Sequence, residues 1–319
     1  MKRREFITLV GGVATWPVVA RAQQSAMPVV GVLDNIRGVD AFRTGSTEAG
    51  YFEGRNVALE LQATDQDDRL PALATELVRR QVSVIAALSG PSASAAKAAT
   101  AVIPIVFSIG GDPVEVGLVG RLNRPGGNIT GATFFAAQLL QKQAGLLREL
   151  IPKAAVLGFL VNPDNPRAKA DVTSVEAAAH SLGLTTHIVK ASAERDLDSA
   201  FASLVRGQAD ALIIGGDTFI LRAITNIAAL AARHAIPAVF GSSREYLEAG
   251  GLMTYGARLE DARRQAGIYT GRILKGEKPG DLPVIQPTKF EFVLNLRTAK
   301  TLGLSVSSGV LSIADRVIE

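Results

Sequence analysis

Two kinds of hydrophobic pattern alternate along this chain. Short, nearly continuous apolar runs occupy 28–33, 82–88, 104–109, 155–161, 210–214, 237–240 and 252–255. Residues that are apolar in succession, rather than every second one, suit parallel strands covered on both faces. Between these runs the apolar positions recur every three or four residues. Leu70, Leu73, Ala74, Leu77 and Val78 form one such stripe, Leu140, Ala144, Leu147 and Ile151 a second, and Ala262, Ala266, Tyr269 and Ile273 a third. Each predicts an amphipathic helix. Strand and helix in alternation predict an α/β fold built on parallel sheets.

A weak internal repeat divides the chain. Arg79-Arg80-Gln81 precedes a strand, a turn at Ser89-Gly90-Pro91, a helix and then Ile103-Pro104-Ile105-Val106-Phe107. Arg206-Gly207-Gln208 precedes the same order of elements, with a turn at Gly215-Gly216-Asp217 and the block Ile236-Pro237-Ala238-Val239-Phe240. This predicts two similar open-sheet lobes of Rossmann-like type. The turn-rich Arg124-Pro125-Gly126-Gly127-Asn128 is read as a crossing between them. Ligands of open parallel sheets bind at the carboxyl ends of the strands. That directs attention to the loops 34–35, 89–92, 110–112, 162–165, 215–218 and 241–243.

Composition narrows the function. The 319 residues are 47% hydrophobic and 20% charged, which excludes a disordered chain, and there is no cysteine. Disulfides, thiolate nucleophiles, iron–sulfur clusters, cysteine zinc sites and a cysteine-borne lipid anchor are thereby excluded. The formal net charge is +4, but Lys2, Arg3, Arg4 and Arg21 against Glu5 place most of it in the first 22 residues. The nearly neutral remainder offers no phosphate footprint, so no nucleic-acid partner is expected. Those first residues read as an export signal over 1–22: a basic start at Arg3-Arg4, an apolar stretch, and the cleavage pattern Ala20-Arg21-Ala22. Arg3-Arg4-Glu5-Phe6-Ile7 resembles the twin-arginine motif. The expectation is a periplasmic protein without a lipid anchor.

No catalytic set emerges. His180, His187 and His234 lack metal-ligand spacing, no G-x-S-x-G elbow occurs, and Gly126 to Gly131 lacks the Lys and Ser/Thr of a phosphate loop. No cofactor, metal or enzymatic activity is expected. The strand-end loops do carry binding groups. Ser89 and Ser92 open a helix whose free N–H groups can hold a carboxylate, or they cap the helix and nothing more. Asp217, followed by Thr218, can meet a ligand ammonium or serve as an N-cap. Asn162, Asp164 and Asn165 offer hydrogen bonds or form a Pro-flanked turn. Phe134 and Phe135 stack on a ligand or fill core.

The stretches "IPIVFSIGGDPVEVGLVGRLNRPGGNITG" (103–131), "GGLMTYG", "GRILKGEKPGDLP" and "FEFVLNLRTAKTLGL" resemble those of ABC-transporter substrate-binding proteins, whose better-understood members bind tryptophan, tyrosine or phenylalanine. The resemblance covers essentially the whole chain from Pro28 to Leu304 and implies the periplasmic-binding-protein type I fold, two lobes joined by a hinge. It implies lobe 1 from 28–131 plus about 256–282, and lobe 2 from 132–255 plus about 283–319. It further implies a small-molecule ligand, amino-acid-like and, on the pattern of those members, aromatic, an ABC permease as partner, and action as a monomer. By position, Asp34, Ser89, Ser92, Asp112, Asn162, Asp217, Thr218, Ser242 and Tyr255 are the expected ligand-binding residues. A sensory module feeding a membrane signalling partner shares this fold and is the alternative reading. The sequence departs from the family after the first strand: the loop is short, and Gly45-Ser46 stands where an apolar residue is expected.

Overall fold

The computed structural model describes residues 27–34, 39–64, 66–134, 139–286 and 288–319. The segment 1–22, Asn35 and Phe135 lie outside these residues. The chain begins β1 (Val29–Asp34), α1 (Asp40–Glu48), β2 (Ala58–Ala63), α2 (Leu70–Arg79), β3 (Val84–Ala87), α3 (Gly90–Ala99), β4 (Ile105–Ile109) and β5 (Ile129–Thr133). It continues through α4 (Leu139–Leu150), β6 (Val156–Val161), α5 (Ala168–Ser181), β7 (Thr185–Lys190), α6 (Leu197–Arg206) and β8 (Ala211–Ile214). Next come α7 (Thr218–Arg222), α8 (Ile224–Arg233), β9 (Ala238–Phe240), α9 (Arg244–Glu248) and β10 (Met253–Gly256). Last are α10 (Leu259–Leu274), β11 (Glu291–Asn295), α11 (Leu296–Thr301), α12 (Ser308–Ile313) and β12 (Arg316–Ile318).

The strands form two sheets, β2-β1-β3-β4-β5 and β12-β11-β10-β9-β8-β6-β7. Pairing is parallel throughout except between β10 and β11. The α/β fold with two open parallel sheets, expected from the apolar runs, is the observed one. Every residue of β3 and β4 is buried, as strands covered on both faces require. On one face of the first sheet Leu33, Ile85 and Phe107 pack with Leu70, Ala74 and Leu77 of α2. On the other, Val30, Val32 and Val106 pack with Ala266, Tyr269 and Ile273 of α10.

Gly45 and Ser46 are not a defect in α1. A Cβ on Gly45 would overlap the Arg264 carbonyl, and one on Gly267 would overlap the Phe42 carbonyl. The two helices touch backbone to backbone here, so an apolar side chain is excluded by space. Ser46 donates its hydroxyl to the Tyr51 carbonyl at 3.2 Å.

The internal repeat is structural. Gln81 and Gln208, equivalent in the two halves, both adopt positive φ, 53° and 52°. Each follows a helix and ends it in the left-handed conformation that places the next residues in line for a strand. The chain leaves the first sheet after β5 and returns after β10, when α10 packs on the first sheet. It crosses again beyond Ile285, which pairs with Ala132 of β5.

Some strands carry no continuous apolar run. β5 reads Ile-Thr-Gly-Ala-Thr and is wholly buried, with Thr130 Oγ1 donating to the Leu282 carbonyl at 2.7 Å. It begins directly after the turn-rich 124–128. β2 is an edge strand of the first sheet with Glu60 and Gln62 along it, and β12 is an edge strand of the second. Among the described residues, no helix is long and apolar enough to cross a membrane.

Candidate ligand site between the lobes

The carboxyl ends of strands from both sheets converge on one cleft of about 720 Å³. Its first-lobe wall starts at Ser89, the residue before α3. Ser89 Oγ accepts from the Ser92 N–H at 3.3 Å and lies 2.6 Å from Ser92 Oγ. Pro91, which has no N–H to leave unsatisfied, occupies the first turn. Gly110, Gly111 and Phe134 continue this wall. Phe134 packs against Gly110, where a Cβ would fall 2.7 Å from its ring, so it serves both packing and cleft lining.

The second-lobe wall is organised by Asp217. Its Oδ1 accepts the Phe219 N–H at 2.8 Å and the Ile220 N–H at 3.4 Å, two orphan amides of α7, and also Asn162 Nδ2 at 3.0 Å. Its Oδ2 accepts from Asn165 Nδ2 at 3.3 Å. Asp217 is therefore a helix cap, and it is also a cleft residue. The two readings of the sequence are compatible because Oδ2 accepts only the Asn165 bond and keeps a lone pair for a ligand. Asn162 turns its own Oδ1 to the Asp164 N–H at 3.0 Å, so the Pro-flanked turn and the cleft wall are likewise one structure.

Of the expected residues, Ser89, Asn162, Asp217, Thr218 and Ser242 meet in the cleft, whereas Asp34, Ser92, Asp112 and Tyr255 stand off its lining. The reasons differ. Asp34 is 2% exposed and forms a buried ion pair with Arg263 of α10 at 3.0 Å. Ser92 is 0% exposed, its hydroxyl spent on Ser89. Asp112 Oδ1 accepts the Val114 N–H at 2.8 Å and shapes its own loop. The Tyr255 ring stacks on Phe290, with centroids 6.1 Å apart.

The structure adds charged residues that the sequence did not single out. Arg167, from the segment before α5, pairs with Glu115 of the first lobe and with Asp171 at 2.9 Å. Arg222 of α7 reaches Asp67 of the first lobe at 3.2 Å. Both pairs join the lobes across the cleft. Burial pushes the Asp171 carboxyl above its usual range, against the opposing pull of Arg167. No local motif announces these partners, since Glu115 and Arg167 are brought together only by the approach of the lobes. Gln143 was missed as well, although a signal for it exists: it falls three residues after Leu140 and four before Leu147, a polar residue on an apolar stripe. It lines the cleft and is 1% exposed.

The histidines lie elsewhere. His187 Nε2 is 3.0 Å from Ser203 Oγ, His234 stacks on Phe201, and His180 is exposed near the end of α5. Among the described residues, no group of His, Asp or Glu is placed to hold a metal ion.

Residues 32–318 match the family model described as ABC transporter substrate binding protein. The chain is 30% identical over 258 residues to a tyrosine-binding protein of Clostridioides difficile (strain R20291), covering 81% of this chain and 74% of that one. It is similar in fold to an ABC domain from Streptococcus pneumoniae solved in complex with L-Trp, with a TM-score of 0.83, 23% identity, and 91% and 99% of the two chains covered. A ligand-free, open substrate binding protein from Clostridium difficile gives a TM-score of 0.68 at 26% identity, with the same coverage. The fold is that of type I periplasmic-binding proteins, and the chain belongs to the family of ABC transporter substrate binding proteins.

Proposed function

We propose that this protein is an extracytoplasmic receptor that encloses an aromatic-type amino acid between its lobes and delivers it to an ABC permease, without chemical turnover. The observation that carries this reading is the opposition of the start of α3 at Ser89 to Asp217 across one cleft. A zwitterion entering such a cleft loses water from both charges, so each end needs a charge-assisted or dipolar partner. The Gly90 N–H at the start of α3, with Ser94 beside it in the lining, suits the carboxylate, and the Asp217 carboxylate suits the ammonium. Phe134 and Phe219 in the lining suit a ring. The tyrosine-binding relative supports the same ligand class. Two lobes joined by several crossings close by hinge motion.

The test is calorimetric titration of the protein lacking residues 1–22 with L-tyrosine, L-tryptophan and L-phenylalanine, followed by analysis of the recovered ligand. Saturable binding with unaltered ligand is expected. Absence of binding by all three defeats the ligand class, and a chemically changed product defeats the receptor reading. Export is tested separately: the mature chain should start at Gln23, and replacing Arg3 and Arg4 by Lys should retain precursor in the cytoplasm.

A further inference from the structure

Gln143 sits early in α4, in the cleft wall with Phe134, Leu139 and Leu140. Its Nε2 donates to the Tyr255 carbonyl oxygen at 2.9 Å. This bond fixes which way round the amide lies, because a reversed amide would set oxygen against oxygen. Oε1 is then sealed from solvent and has no hydrogen-bond donor. A buried amide oxygen left unpaired is destabilising and rare in native proteins. Because Gln143 lines the ligand cleft, a ligand that displaces the neighbours covering Oε1 can supply the missing donor.

The sheet order says where that donor belongs. β8, β9 and β10 are adjacent, and their carboxyl ends lead respectively to Asp217, to Phe240, and to Tyr255 with Gln143 bonded to it. Asp217 and the Tyr255 carbonyl that holds Gln143 thus stand at strand ends separated by one intervening strand. The end of β9 lies between them. That arrangement suits a molecule with an ammonium at one end, a ring in the middle and a hydrogen-bond donor on the ring.

We propose that Gln143 is a specificity-determining residue, whose Oε1 accepts the side-chain hydroxyl or ring N–H of an aromatic amino acid held at its ammonium by Asp217. This rests on the ligand class given under the proposed function and adds selection within it. A site built to bond a ligand donor rejects the analogue lacking it, because the site's own buried group is then left unpaired. L-tyrosine and L-tryptophan carry such a donor and L-phenylalanine does not.

The experiment is calorimetric titration of wild type and Gln143→Met with these three amino acids, with melting temperatures recorded to verify folding. Methionine keeps the length of the side chain and removes both polar atoms. Wild type should bind the better of L-tyrosine and L-tryptophan at least tenfold more tightly than L-phenylalanine, and Gln143→Met should reduce that preference to about threefold or less. Equal binding of all three by wild type, which needs no variant, overturns the role of Gln143 and leaves the receptor reading intact. So does a preference undiminished in a folded Gln143→Met protein. If none of the three binds, the aromatic ligand class fails and the role of Gln143 fails with it.

Discussion

Asn162 Nδ2 donates to Asp217 Oδ1 across 3.0 Å, tying the carboxyl end of β6 to the residue that caps α7. The bond makes one unit of two loops that are 55 positions apart. It also leaves Asp217 with a double duty, as a cap inside the lobe and as a charge at the cleft. Two substitutions separate these roles. Asp217→Asn preserves the capping oxygen but removes the charge and the Asn165 bond, so melting temperature should fall less than for Asp217→Ala while affinity for an amino-acid ligand falls. Asp217→Ala should lose about 1 kcal/mol of stability with the cap and roughly 2–5 kcal/mol of binding with the charge, about 30- to several-thousand-fold in Kd. Calorimetry and thermal melts on both proteins check this. Unchanged affinity in both would reduce Asp217 to a cap.

Glu115–Arg167 and Asp67–Arg222 each join one lobe to the other. Such pairs form only when the lobes meet, so they favour the closed arrangement. Partly exposed pairs contribute on the order of 0.2–1 kcal/mol each and are screened by salt. Glu115→Gln with Asp67→Asn should therefore widen the interlobe distance distribution. Raising the salt concentration should do the same for wild type and much less for the double variant. Distance measurements between spin labels on the two lobes read both effects, and identical salt responses would refute the role of these pairs.

Asp171 supplies a pH dependence with a definite sign. Its folded pKa is raised, chiefly by burial, so its protonated form is favoured in the fold. The stability this carboxyl contributes is fully present below its unfolded pKa, near 3.9, and is lost as pH rises through the folded value. Asp171→Asn mimics the protonated form. It should be at least as stable as wild type at pH 7, with the difference shrinking toward pH 3. Melting temperatures of the two proteins across that range test the sign.

The Asp34–Arg263 pair predicts a stability effect in place of a binding effect. Both side chains are nearly sealed, 3% and 5% exposed. Removing one partner of a buried pair strands the other and costs about 3–5 kcal/mol. Asp34→Ala should show that loss in denaturant unfolding. At temperatures where the variant stays folded, its ligand affinity should remain within a few-fold of wild type.

Continuous apolar runs identified β3, β4, β6, β8 and β9 because a strand buried on both faces has no polar side to display. Spacing of three and four residues identified α2, α4 and α10, and the repeated order of elements identified two similar lobes. These features were legible because burial acts on local pattern. β5 was hidden because its threonines satisfy their hydroxyls against distant carbonyls, as Thr130 does at Leu282. Edge strands such as β2 were hidden because one side of them faces water. In the cleft, the sequence pointed to Ser89, Asn162, Asp217, Thr218 and Ser242 because strand-end loops converge in any pair of open sheets. It could not separate Asp34 from that group, since only the return of α10 to the first sheet brings Arg263 against Asp34. Likewise, Glu115 meets Arg167 only through the approach of two lobes whose positions are set by three chain crossings. Local pattern specifies what must be buried, whereas partners separated by tens or hundreds of residues are chosen by packing of the assembled lobes.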